Sequence, residues 1–229
     1  MKDKIIKGFR NVYDIDRLRI DIEAILSGNN YLSFLRDNDL KGLTVHSLDD
    51  KKKYSVDFTF LENISYLEYF ECLVPLFKQS DIKGLYLLHN LKYLRWIVDN
   101  KFELDYSKLP SLEVLVTSYY EGMKNWDSLT NLKVFHISKL KKDDCTFISN
   151  LKELTDLKLN RAEITSLKGL EKCEKLERLE LAYCSKIEEL TSILKSLPNI
   201  ISLSLRKCKN INRVELDNIR DLGISLWVE

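Results

Sequence analysis

The residues of this chain that could do chemistry are few and scattered. Five cysteines, Cys72, Cys145, Cys173, Cys184 and Cys208, could serve as zinc ligands or redox thiols, yet no two stand in a CxxC pair. Their odd number also argues against a closed disulfide framework, so reduced, buried thiols are expected. The histidines His46, His89 and His136 are widely separated, which disfavours a three-histidine metal centre. His136 near Ser118 and Ser138 has the residue types of a base and a nucleophile. A hydrolase would also need an acid to orient the imidazole and donors for an oxyanion, and the sequence assigns neither. GLEKCEK, containing Gly169 and Lys172, is too short for a phosphate-binding loop and lacks its terminal Ser or Thr. No catalytic residue, metal ligand or cofactor site is assigned, and a non-enzymatic role is expected.

Composition narrows the partners. With 229 residues, 45% hydrophobic and 31% charged, the chain has the material for a folded core. A net charge of +1, with acids and bases interspersed, gives no field that would draw it to nucleic acid. Lys51–Lys53 follow Asp49–Asp50 directly, which reads as a solvated loop. No segment approaches the roughly 20 apolar residues of a membrane span, so neither a membrane partner nor export is expected and the location is read as cytoplasmic.

What must position any site is a repeat. In CEKLERLELAYC, residues 173–184, apolar residues fall three apart and then two apart at Leu176, Leu179 and Leu181. A single helix would rotate Leu181 off the stripe, whereas a turn leading into a short strand fits the change of period. The pattern recurs with anchors at Leu67, Leu94, Leu115, Phe135, Leu157, Leu179 and Leu203, at intervals that suit the units of a solenoid. Positions three, six and nine before every anchor are apolar, and of those two beyond only Thr117 is not. Two registers have rivals: IKGLYLLHN at 82–90 competes with the strand at Leu94, and Leu154 competes with Leu157.

These segments, among them LTDLKLNRA, LERLELAYC and IISLSLRKC, resemble the leucine-rich repeat signature LxxLxLxxN/C over roughly residues 55–210. The resemblance implies an α/β repeat solenoid: a curved array with a parallel sheet on its concave face and a convex side of mixed turns, strands and short helices. No unit carries Asn at the signature's last position, so irregular turns are expected in place of an asparagine ladder. Residues 1–54 are read as an N-terminal capping region with a possible incomplete repeat at Leu43, and residues 211–229 as a C-terminal cap closed by a strand through Leu226 and Val228. Ile15, Leu18, Ile22 and Ile25 fall on helical spacing, so a capping helix is expected there.

The concave residues flank each anchor. The first rows, Tyr66/Glu68/Phe70 and Tyr93/Arg95/Ile97, are aromatic and aliphatic with Arg95 among them, the composition of a protein-binding patch. His136, between Val134 and Ser138, belongs to the last of the four apolar rows, and the final three rows are polar and charged: Asp156 and Lys158, Arg178 and Glu180, and Arg206. Three explanations of the apolar rows stay open: a partner surface, packing under the N-terminal region, or a misassigned strand. The favoured function is a protein–protein interaction scaffold for an unidentified partner. A trans-acting regulator or immunity-type inhibitor of an enzyme or toxin, as the resemblance to bacterial cytoplasmic members implies, and an enzyme with an unrecognised site are the alternatives.

Overall fold

An apolar anchor and its partner two residues on point to the same side of an extended backbone, so each LxL segment becomes a strand with one buried face. The computed structural model describes residues 4–6, 15–28, 30–98 and 102–229. Its strands are β1 (Lys4–Ile6), β2 (Arg17–Asp21), β3 (Gly42–His46), β4 (Tyr69–Leu73), β5 (Tyr93–Trp96), β6 (Leu104–Asp105), β7 (Val114–Ser118), β8 (Met123–Lys124), β9 (Val134–Ser138), β10 (Asp156–Asn160), β11 (Arg178–Ala182), β12 (Ser202–Arg206) and β13 (Ser225–Val228). The α-helices are α1 (Ile22–Leu26), α2 (Tyr31–Asp37), α3 (Thr191–Lys195) and α4 (Arg213–Arg220).

Among the described residues, β2 to β5, β7 and β9 to β13 form one parallel sheet in chain order, with β1 added antiparallel on the outer side of β2. The register aligns Leu18, Leu43, Phe70, Leu94, Leu115, Phe135, Leu157, Leu179, Leu203 and Leu226 across the sheet. From Leu18 to Leu203 every one of these anchors is buried. Leu94 and Leu157 therefore hold against their rivals, and residues 83–87 of the competing segment form a 3-10 turn.

One anchor differs from expectation. In the first full unit it is Phe70, not Leu67, a displacement of three positions along the chain. Phe58, Leu61, Ile64, Leu67 and Phe70 run at an unbroken spacing of three, all buried, so the stripe alone does not say where the strand begins. Phe70 and Cys72 form the buried strand pair, both fully inaccessible. The amides of Glu68 and Tyr69 donate to the carbonyl of Lys41, and those of Lys92 and Tyr93 donate in the same way to Glu68.

The ends also resolve. The expected helix through Ile15, Leu18, Ile22 and Ile25 begins only at Ile22, because Leu18 and Ile20 lie in β2 opposite Leu43 and Val45. Asp21 at the junction caps α1, accepting from the Glu23 amide at 2.9 Å. At the other end α4 packs against α3, and Glu215 Oε1 accepts from the amides of Leu190 and Thr191 at 2.6 Å each and from the Thr191 hydroxyl at 2.8 Å. Burial opposes charge on Glu215, but these donors outweigh it and hold its pKa below the usual value. β13 then adds to β12 with Leu203 opposite Leu226.

The convex side is mixed, as expected. Leu104–Asp105 and Met123–Lys124 pair as a small second sheet, Thr191–Lys195 is helical, and 3-10 turns such as Phe58–Ile64 cover the remainder. Units stack so closely that a Cβ on Gly84 would lie 1.9 Å from the Phe58 carbonyl oxygen, which only glycine accommodates. Thr117, the polar exception in the inward column, is buried and donates from Oγ1 to the Trp96 carbonyl at 2.9 Å. Among the described residues no helix is long and apolar enough to cross a membrane.

Candidate functional site

With the inward column filled by anchors, alternation turns the residues on either side of them to the opposite, concave face. The shifted register changes the membership of the first row. Phe70 is fully buried and meets the Phe58 ring edge-on at 6.3 Å, so it belongs to the core and cannot touch a partner. Tyr66 precedes β4, and Glu68 lies at the strand's entrance, where it pairs with Lys92 at 2.7 Å and Lys41 at 3.5 Å. In their place β4 presents Tyr69, Glu71 and Leu73, beside Tyr93, Arg95 and Ile97 as expected.

This shift assembles a connected cluster. Tyr69 and Tyr93 stack with centroids 4.1 Å apart and planes 9° from parallel, and the Arg17 guanidinium lies 4.8 Å over the Tyr69 ring. Glu71, 6% exposed, accepts from the Thr44 hydroxyl at 2.8 Å and from the Tyr93 hydroxyl at 3.4 Å, with Arg95 at 3.9 Å. Burial first, and the Glu71 carboxylate second, push both tyrosine hydroxyls up, so they remain neutral donors. Ile97 is 39% exposed at the end of its row. The N-terminal strands β2 and β3 extend the sheet sideways, and from them Arg17 and Thr44 reach Tyr69 and Glu71 of the neighbouring row.

The polar rows form ion pairs along the sheet. His136 Nε2 lies 3.1 Å from Asp156 Oδ1, and Arg178 Nε donates to Asp156 Oδ2 at 2.9 Å. Burial opposes charge on Asp156, but hydrogen bonds from His136 and Arg178 prevail and hold its pKa below the ordinary carboxylate value. Lys158 pairs with Glu180 at 2.7 Å, and Arg206 pairs with Glu229 at 2.8 Å while resting over the Trp227 ring. Asp156 is thus an acid beside His136 that sequence spacing did not assign. Its other oxygen is occupied by Arg178, and the Ser138 hydroxyl accepts instead from Asn160 at 3.3 Å. The Ser111 hydroxyl donates to the His89 backbone carbonyl at 2.8 Å and not to its ring, and among the described residues no group of three or more His, Cys, Asp or Glu converges as a metal site.

Sequence reasoning missed Arg17, Thr44, Tyr69 and Glu71. The available signal was Leu43: an anchor at Phe70 leaves the three-residue stripe from Phe58 intact and makes Phe70 and Cys72 the strand pair.

These strands and turns define a curved leucine-rich repeat solenoid. Residues 148–224 match the leucine-rich repeat domain of the endo-β-N-acetylglucosaminidase EndoS. The fold is similar to that of internalin C2 from Listeria monocytogenes, with a TM-score of 0.55 and 17% identity over 84% of this chain and 82% of that one. Internalin InlF from the same organism aligns at 0.46 and 17% over 82% and 67%. A structure of the Drosophila Toll–Spätzle complex aligns at 0.46 and 13% over 93% of this chain and 39% of that one. No curated protein matches the sequence. At these identities the structural likeness is one of fold.

Proposed function

We propose that this chain is a protein-interaction scaffold that binds its partner across the concave face, with Tyr93, Arg95 and Ile97, the accessible edge of the cluster backed by buried Tyr69, as the strongest contact. The observation that carries the reading is the stack of two tyrosines capped by Arg17 and braced by Glu71 and Arg95. Tyrosine and arginine dominate interface energetics, and side chains already locked by neighbours lose little freedom on binding. Ile97 adds exposed apolar area beside them. The ion pairs from His136 to Arg206 would set register and selectivity more than affinity.

The test is affinity capture from the native cell with wild type, Tyr93→Ala, Arg95→Ala and a control, Val214→Ala, on the exposed side of α4. One reproducible partner retained by the control and lost by both concave variants, all with unchanged circular dichroism, supports the reading. Equal capture by all four rejects it, and turnover by the purified chain alone would reject a purely non-catalytic role.

A second reading, a trans-acting regulator or immunity-type inhibitor of an enzyme or toxin, is favoured by the match to a repeat domain that belongs to an enzyme. The same variants test it, read as loss of inhibition of the captured protein. We further propose a cytoplasmic setting, supported by five cysteines that form no disulfide.

A further inference from the structure

Cys184 and Cys208 occupy the same position in consecutive units, each five places beyond its anchor, Leu179 or Leu203. The β11–β12 register ends with Ala182 opposite Arg206, and Tyr183 and Lys207 then make the same left-handed turn, φ 57° and 52°, so the two cysteines follow in equivalent turns of stacked units. Neighbouring strands run about 4.8 Å apart, within the roughly 4.4–6.8 Å Cα separation that a disulfide spans. Cys184 Sγ donates to the Ala182 carbonyl at 3.5 Å and Cys208 Sγ to the Leu181 carbonyl at 3.3 Å, so both sulfurs gather at consecutive residues of β11, and Cys184 also approaches the Leu159 carbonyl at 3.5 Å.

The pair is asymmetric in a way the other cysteines are not. Cys72, Cys145, Cys173 and Cys184 are fully buried, whereas Cys208 is partly exposed and borders a cavity of about 190 Å³ lined by Lys207, Lys209, Leu216 and Val228. The neighbouring Cys184 thiol favours the thiolate at Cys208, whose pKa lies below the usual thiol value. Burial pushes the Cys72, Cys145 and Cys173 thiols up.

We propose that Cys208 is a hydroperoxide-sensitive thiol and Cys184 its resolving partner, the two closing to a disulfide between adjacent repeats. In the first step the Cys208 thiolate attacks one oxygen of a small hydroperoxide, the O–O bond breaks, and the departing alkoxide or hydroxide takes a proton to leave as alcohol or water. Sulfur is oxidised by two electrons to the sulfenic acid and the peroxide is reduced by two. In the second step the Cys184 sulfur attacks the Cys208 sulfur, the S–S bond forms, the S–O bond breaks, and the leaving hydroxide takes the Cys184 proton as water. The cavity is large enough for hydrogen peroxide. The product closes α3 and β12 into one covalent loop, stiffening the C-terminal end of the array.

The test treats the reduced full chain with equimolar hydrogen peroxide. The expected result is a fall from five titratable thiols to three, loss of two hydrogens from the intact mass, a Cys184–Cys208 cross-link in the peptide map, and full reversal by dithiothreitol. In Cys184→Ser the reaction stops at a Cys208 sulfenic acid that dimedone traps. Retention of all five thiols, or a cross-link between any other pair, overturns the proposal, and the wild-type peptide map decides it even if the variant does not fold.

Discussion

The two halves of the sheet share one register and solve different problems with it. Around β4 and β5 the units are long, from Leu43 to Phe70 and from Phe70 to Leu94, and the core is filled by rings: Phe58 against Phe70 and Trp96, and Trp96 against Phe102. Around β10 and β11 the unit from Leu157 to Leu179 is shorter and the core is aliphatic. The concave faces diverge in the same way. Near β4 a buried carboxylate sits among stacked tyrosines and arginines, while near β10 partly exposed acids and bases pair along the ladder. Short units of leucine pack by repetition and leave their surface side chains free to vary. The N-terminal units carry large rings in their core whatever their length, and the neighbouring tyrosines lend the concave face its aromatic character.

The sharpest way to break this comparison is to truncate a core ring. Phe70→Ala should cost about 3–5 kcal/mol and Leu157→Ala about 2–5 kcal/mol, whereas Tyr66→Ala should change stability by less than about 0.5 kcal/mol. Urea unfolding of the three variants gives the order, and a costly Tyr66 beside a silent Phe70 would restore the register anchored on Leu67. Next in size, Tyr93→Ala should weaken partner binding by about 2 kcal/mol, roughly thirtyfold, while Glu180→Ala in the polar half should change it by less than about 1 kcal/mol. Isothermal titration with the captured partner reads both.

Glu215→Ala should cost about 1–3 kcal/mol by leaving the donors at the start of α3 without their acceptor. Its folded pKa is depressed, so the carboxylate's contribution is present above the ordinary Glu pKa and is lost as pH falls through the folded value. Below about pH 4.3 the wild-type urea midpoint should therefore drop more steeply than that of the variant. The smallest effect is expected from Asp156→Asn, under about 1 kcal/mol, with the same sign of pH dependence because its pKa is also depressed. A larger loss would show that the polar rows hold the fold as firmly as the aromatic ones.

Much of the fold was legible because the signal is local. A change of apolar spacing from three to two within a dozen residues marks the entry to a strand, and it located six of the seven assigned anchors, while strict alternation located the final strand through Leu226. It failed where the spacing of three ran on unchanged from Phe58 to Phe70, and at Leu18, where helical spacing concealed a strand. The candidate site was legible in part: Tyr93, Arg95 and Ile97 lie on the concave face, while Phe70 moved inside and Tyr69 and Glu71 took the row.

The sequence by itself determined that the chain repeats, that its units must stack to bury their apolar sides, and which residues anchor most of the strands, because hydrophobic periodicity is written within each unit. Only the tertiary structure decided what stands beside what. Tyr69 meets Tyr93, Asp156 meets His136, and Cys184 and Cys208 gather at neighbouring carbonyls of β11, each pair brought together across the span of a whole repeat. Such pairings depend on the register between neighbouring strands, and a small slip in one unit exchanges a core ring for a surface one.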